Sequence, residues 1–266
     1  MLIEWPAAVC GFAIGCLIGI SGMGGGSAMT ALLIILFGIH PVTAVGTDLL
    51  YASATKFTGA VVHHNNSNVD WRIVALLSAG SVPATLVAIS LLSRADMHDP
   101  SLSRAITIAI SLALVLAAGG LLFRRRMQSF ARDHSSANAM GLAGSVKTVC
   151  LGGVLGALVA LTSIGAGAIG LAFLVFLYPH APVVRLVGTD IAHAVPLTLL
   201  AGAGHWLIGS VDWHLLLSLL LGSIPGIFIA SHLAHRIPEW FLLPALAVIL
   251  IVIGGRLALS ALAAGG

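Results

Sequence analysis

The tetrapeptide "VGTD" occurs at 45–48 and again at 187–190, putting one carboxylate into each half of an otherwise apolar chain. Asp48 and Asp190 each follow a hydroxyl residue, Thr47 and Thr189. Such a pair can do two kinds of chemistry. As helix N-caps, short polar side chains accept hydrogen bonds from the free N–H groups of a first turn. Deep in a bilayer, a carboxylate is costly and marks a coupling-ion or proton site. Depth decides between the two. Lys56 stands eight residues after Asp48, a little over two helical turns, and hydropathy places it well inside a span. Its ammonium either serves a carboxylate or a bound anion, or snorkels toward Tyr51 or a loop. In the second half the matching position is Thr198, so this charge is asymmetric. Tyr51 matches His193 and His63 matches His205. His63 and His64 end a span and are expected to face water. The histidines are too scattered to suggest a metal cluster, so neither a metal nor a cofactor is expected.

A second constellation is the glycine run "SGMGGGSAMT", Ser21 to Thr30, with its counterpart "TSIGAGAIG" at 162–170. Both interrupt hydrophobic stretches. A helix break in hydrocarbon leaves backbone groups without partners, at several kcal/mol each, and persists only where protein or a wet cavity satisfies them. Glycine permits the break and lets a ligand approach the backbone. The helix that resumes near Ser27, and again near Ala168, offers free N–H groups and a positive dipole end. Two such ends facing each other form an anion site. Close packing of glycine-rich helix faces is the competing explanation for either copy alone.

The elements that must hold these residues follow from composition. Of 266 residues, 59% are hydrophobic and 8% charged. Soluble domains run near 25% charged, so the chain is an all-α polytopic membrane protein. Its continuous apolar runs exclude a membrane barrel, which alternates in roughly ten-residue segments. Ten apolar segments can be drawn, near 7–20, 27–38, 47–63, 72–93, 103–123, 147–162, 167–178, 188–208, 213–233 and 239–261. The first, second, sixth and seventh are short, and eight to ten of the segments are expected to cross. "MLIEWPAAVC" lacks the basic start of a signal peptide, so the first segment is expected to be retained.

The stretch 124–146 is the one long polar connection and carries Arg124, Arg125, Arg126 and Arg132. The positive-inside rule places it in the cytoplasm. With ten crossings, Arg72, Lys147, Arg185 and Arg236 join it there, Arg94, Arg104 and Arg256 lie outside, and both termini are outside. The net charge of +3 therefore reads as topology, and nucleic acid is not a partner. Cys10, Cys16 and Cys150 lie in apolar runs without a CxxC pair and read as small buried residues. No nucleophilic triad, phosphate loop or metalloprotease motif is present, and an enzyme is not expected.

The chain is duplicated. "VDW" at 69–71 recurs at 211–213, and "GSVP" at 80–83 recurs as "GSIP" at 222–225, with the same offset of 142 as the "VGTD" pair. Over Ser21–Pro83 against Ser163–Pro225, 17 of 63 positions are identical. This divides the chain into a first transmembrane repeat (1–123), the basic cytoplasmic connection (124–146) and a second repeat (147–266). About five segments per repeat, an odd number, gives the two copies opposite orientations. Inverted-topology repeats, with short broken helices at the repeat interface, are the architecture of secondary transporters. Asp70 and Asp212 read as helix caps with Trp71 and Trp213 as interfacial anchors, and Pro83 and Pro225 as kinks.

The combination of "GISGMGGG", "HPVTAVGTD", "NVDW" and "GSVP" resembles the TauE/SafE sulfite exporter family, also called the four-toluene-sulfonate uptake permease family, from Phe12 to about Leu257. The second copy matches less closely, with "SIGAGAIG" for the glycine run. The resemblance implies a multi-pass permease of the bacterial inner membrane. Its substrates would be small sulfur-containing anions such as sulfite, sulfoacetate or another organosulfonate, with export the usual direction. Some distant relatives that take up thiosulfate rely on cysteines near the path, a pattern these three cysteines do not reproduce.

Combined with the residues above, the expectation is a secondary transporter working by alternating access. The anion would be cradled by Ser21, Gly24, Gly25, Gly26, Ser27, Thr47, Ser163, Gly165, Gly167 and Thr189, with Lys56 as the positive charge. Asp48, Asp190, Tyr51 and His193 would orient these groups or carry a coupling proton. The partners would be the anion, the lipid bilayer, protons and a second copy of the chain in a homo-oligomer. A passive anion channel and a non-transport assembly or redox partner are the rival readings.

Overall fold

The computed structural model describes residues 4–21, 28–97, 99–134, 142–233 and 239–263. Among them lie ten α-helices and no strand: α1 (Trp5–Ser21), α2 (Met29–Phe37), α3 (Pro41–Asn65), α4 (Trp71–Leu92), α5 (Pro100–His134), α6 (Leu142–Thr162), α7 (Ala168–Leu177), α8 (Val183–Leu207), α9 (Trp213–Leu233) and α10 (Glu239–Ala263). Their starts follow local chemistry. The Asp70 carboxylate accepts from the amides of Arg72 and Ile73, and Asp212 accepts from those of His214 and Leu215, so both act as the expected caps. Pro41 opens α3 at its first turn, where a missing N–H costs nothing. Gly38 closes α2 in the left-handed region, at φ 64°, which favours glycine.

Six helices are long and apolar enough to cross a membrane: α4, α6, α8, α9 and the apolar parts of α5 and α10. This corrects two expectations. The sixth segment is not short, because α6 begins at Leu142 and runs 21 residues. The third is long, at 25 residues, yet is not among the six; Asp48, Lys56, His63 and His64 dilute its hydropathy. The basic connection also differs from a plain loop, since α5 continues through it to His134. Only α2 and α7, at 9 and 10 residues, are near half the roughly 20 residues a full crossing needs.

Helices pair across the two repeats. α1 packs on α9 and α4 on α6; α5 meets α7 and α10 meets α2; α3 crosses α8. Exchanging the repeats turns the first pair into the second, and the third into the fourth. Glycines bring backbones together at these seams, as is usual between membrane helices. A Cβ added to Gly15 would lie 2.4 Å from the Ser223 carbonyl oxygen, and one on Gly156 at 2.4 Å from that of Ser81. Likewise Gly11 abuts Leu219 and Gly152 abuts Leu77. The partners in α9 and α4 keep the offset of 142, whereas the glycines in α1 and α6 are 141 apart. One residue of register is therefore absorbed between these helices and α3 or α8. At the crossing of α3 and α8, the Ser53 hydroxyl donates to the carbonyl of Val195, its own repeat equivalent, at 3.4 Å. A residue can touch its equivalent only at the symmetry axis, so the pseudo-twofold passes here. Large apolar side chains such as Leu86, Leu116, Leu221 and Phe228 are exposed on the outer faces, as lipid-facing residues would be.

Candidate functional site

Asp48 lies about two turns inside α3, and Asp190 sits at the same depth in α8. Neither is an N-cap, which corrects that expectation: the helices start earlier, at Pro41 and Val183. Both side chains are buried. Their threonines serve a different purpose. Thr47 Oγ1 accepts the N–H of Asp212 at 3.0 Å, and Thr189 Oγ1 accepts the N–H of Asp70 at 2.9 Å. The two contacts are related by the repeat, and each ties a capping loop to the crossing pair.

Each carboxylate stands against a half-length helix of its own repeat. Thr30, in the first turn of α2, donates its hydroxyl to Asp48. Asp190 abuts the first turn of α7, where a Cβ on Gly170 would lie 2.3 Å from Asp190 Oδ1. No side chain caps α7. The N-terminal end of each short helix thus already faces a carboxyl group of the protein itself.

The break before α7 is built by Ser163, Gly165 and Gly167, all with positive φ (60°, 139° and 128°). Thr162 Oγ1 accepts the Ile164 N–H, and the Gly165 carbonyl accepts the Gly170 N–H at 2.8 Å. The Ala166 carbonyl, left over by this turn, accepts from Lys56 Nζ at 2.8 Å. Lys56 is only 8% exposed, so its ammonium does not snorkel. It lies within electrostatic reach of both Asp190 and Asp48 but closes an ion pair with neither. Of the residues expected to form the matching break, Gly24, Gly25, Gly26, Ser27 and the Ser21 side chain lie outside the described residues.

Around this centre sit buried polar atoms without a hydrogen-bond partner among the described residues: Asp48 Oδ1, Asp190 Oδ1, Ser163 Oγ, Tyr51 Oη and His193 Nδ1. The other nitrogen of His193, Nε2, meets Ser81 Oγ at 2.9 Å. Tyr51, its counterpart, lies beside Ser223, the counterpart of Ser81. These serines belong to "GSVP" and "GSIP", which marked the duplication without being read as part of a site. Thr30 and the Ala166 carbonyl were also missed. No local pattern distinguishes them, because they reach the site through tertiary packing. His63 does not simply face water: it packs on Gly188, with its Nδ1 buried. His205 is buried too, bonded to Ser210 and to the Ala160 carbonyl at 2.9 Å each. Among the described residues, no group of three or more His, Cys, Asp or Glu is placed to hold a metal ion.

Residues 7–257 match the sulfite exporter TauE/SafE family. The chain belongs to that family. A similar TauE/SafE-length relative is the "Probable membrane transporter protein YjnA" of Bacillus subtilis (strain 168), 37% identical over 248 residues, spanning 93% of this chain and 96% of the relative. "Probable membrane transporter protein YdhB" of the same organism is 26% identical over 91% of this chain and 97% of its own. A "Probable membrane transporter protein" of Xylella fastidiosa (strain 9a5c) is 23% identical over 84% of this chain and 82% of its own. No solved structure matches the chain. A TauE/SafE chain with these helices is a multi-pass membrane transporter, and its buried polar cluster is the candidate functional site.

Proposed function

We propose that the protein is a secondary transporter, not an enzyme, and needs no cofactor. It exports a small sulfur-containing anion, such as sulfite, sulfoacetate or another organosulfonate, across the bacterial inner membrane. Transport runs by alternating access between two inverted-topology repeats and is coupled to protons. The observation that carries this reading is Lys56: a buried ammonium held by a carbonyl of a helix break, beside two buried carboxylates and a ring of unpartnered polar atoms. Buried polar groups without partners are expensive, and a ligand able to accept from Lys56 and Ser163 relieves that cost. The family and its relatives support transport; the choice of a sulfur anion rests on the family.

Charge bookkeeping supplies the coupling. Fully ionised, Asp48, Asp190 and Lys56 sum to −1, which repels an anion. Asp190, from α8, also stands against the first turn of α7, the place an anion would take. A proton taken up by a carboxylate neutralises it, releases its hold on the helix end and leaves the Lys56 charge less compensated, so that it attracts the incoming anion. Anion and proton then move together, in the direction set by the sum of their gradients, so export requires an outward anion gradient that outweighs the inward pull on the proton. Ser163, Gly165 and Gly167 cradle the anion, with Tyr51 and His193 flanking it. Thr47 and Thr189 hold the geometry through their loop contacts.

The test is flux in proteoliposomes with sulfite, sulfoacetate, taurine, thiosulfate and sulfate, with and without an imposed proton gradient. Wild-type protein should show saturable, gradient-dependent flux of one sulfur anion. Lys56→Ala removes the ammonium beside two buried carboxylates and should cut flux at least ~100-fold while the protein still purifies as a folded species. Flux that never saturates and ignores counterflow would mean a channel. No flux of any sulfur anion through folded protein would remove the substrate assignment.

A further inference from the structure

At the end of the bundle that receives the basic connection, a cavity of about 400 Å³ opens between α4, α6 and the turn joining α7 to α8. Arg72, Arg185, Asp70, Tyr178, His180 and Ser145 contribute its polar lining. Asp70, the one carboxylate there, is fully committed. Its Oδ1 accepts from two α4 amides, and its Oδ2 pairs with Arg185 Nη2 at 3.3 Å. The guanidinium of Arg72 is left without a partner among the described residues. Tyr178 is held toward α6 by its hydroxyl, 2.6 Å from Thr148 Oγ1. α8 starts behind Pro182 with no side chain capping its first amides.

The repeat offers an internal control. At the matching end of the other half, Asp212 and Trp213 keep the cap and the anchor. Arg72 is matched there by His214, Arg185 by Thr43, His180 by Gly38 and Tyr178 by Leu36. The scaffold is duplicated and the polar lining is not. The positive-inside rule accounts for arginines at this end in general; it does not account for two of them in one cavity whose only acid is already satisfied. We infer that this cavity is a one-sided oxyanion-binding site, separate from the central one, in which Arg72 and Arg185 grip a tetrahedral oxyanion head with His180 as a flanking donor, while the Tyr178 hydroxyl, committed to Thr148, shapes the wall. Planar guanidinium groups suit such heads. Two sources carry this chemistry: a free sulfonate, sulfate or phosphate, and the phosphate of an anionic lipid, which basic pockets between membrane helices are known to hold. Thr189 bonds both the Asp70 amide and the Arg185 carbonyl and immediately precedes Asp190, so the cavity lies about one helical turn from the central carboxylate.

The test is binding and needs no transport. Sulfate is exchanged for chloride at constant ionic strength around purified protein in a neutral detergent, with Trp71, next to Arg72, as the fluorescent reporter and Trp71→Phe to assign the signal. Saturable sulfate binding should weaken at least ~10-fold in Arg72→Gln and persist in Lys56→Met, which separates this site from the central one. The Arg72 guanidinium has no partner to lose among the described residues, so Arg72→Gln should fold; Arg185→Gln is the second variant. In parallel, native mass spectrometry from phosphatidylglycerol membranes counts retained lipid. A lipid lost in Arg72→Gln, with no sulfate binding, assigns the site to a headgroup. Wild type and both arginine variants behaving alike in both arms would overturn the inference.

Discussion

At the scale of single residues, three ionisable side chains decide what the centre can do, and all three could be picked out from sequence. Their depth could not. Asp48 and Asp190 read equally well as caps because the start of a span was placed at the rise in hydropathy. The true starts were signalled by Pro41 and by Pro182 before Val183, since proline favours the first turn of a helix and the residue just before it. The proton reading has a sign. If an anion enters only after a carboxylate is neutralised, flux rises as the pH on the loading side falls. Asp190→Asn mimics the neutral acid, so transport should survive while its pH dependence flattens and less proton moves per anion. Parallel recording of anion flux and a trapped pH dye checks this. An unchanged pH profile would assign the coupling elsewhere.

At the scale of elements, the half-helices and the break between α6 and α7 were legible, because glycine-rich interruptions at matched positions have few other causes in hydrocarbon. What they cradle was not legible: the carboxylates now at the helix ends come from α3 and α8, and pattern alone does not bring separate helices together. Ser163 tests the break. Its φ of 60° is one glycine accepts freely. Ser163→Gly should therefore hold or raise thermal stability, by up to ~1 kcal/mol, while weakening anion binding by removing the Oγ. A large loss of stability would show the hydroxyl to be structural. The glycine seams give the opposite expectation. Gly156→Leu drives a side chain into the Ser81 backbone, 2.4 Å from where its Cβ would stand. Overpacking of this kind costs about 1–3 kcal/mol or more, so the variant should melt lower or fail to accumulate as monodisperse protein in detergent. Wild-type melting would show the seam to be looser than described.

At the scale of the whole molecule, the duplication was legible to the residue over most of its length. The interlocking of the two copies was not, nor the single residue of register lost around the breaks. The proposed inverted orientation of the repeats has a topological consequence that can be measured. Single cysteines placed at Arg126 and Arg94, in a background lacking Cys10, Cys16 and Cys150, should react with a membrane-impermeant thiol reagent from opposite sides. Arg126 is expected to be inside and Arg94 outside. Labelling of both from one side would end the inverted reading.

The hydrogen bond from Lys56 to Ala166 has one more implication. A carrier made of two equivalent halves has no reason to prefer facing in or out; the two forms are images of each other and equally populated. Thr198 cannot repeat the Lys56 contact, since its hydroxyl bonds its own helix at Ala194. The bond therefore exists on one side of the axis only. A hydrogen bond to a charged group contributes about 1.5–3 kcal/mol, enough to skew two otherwise balanced forms roughly 10- to 150-fold. On this view one ammonium gives the idle transporter its resting orientation, and an anion that takes the ammonium away from Ala166 unlatches it.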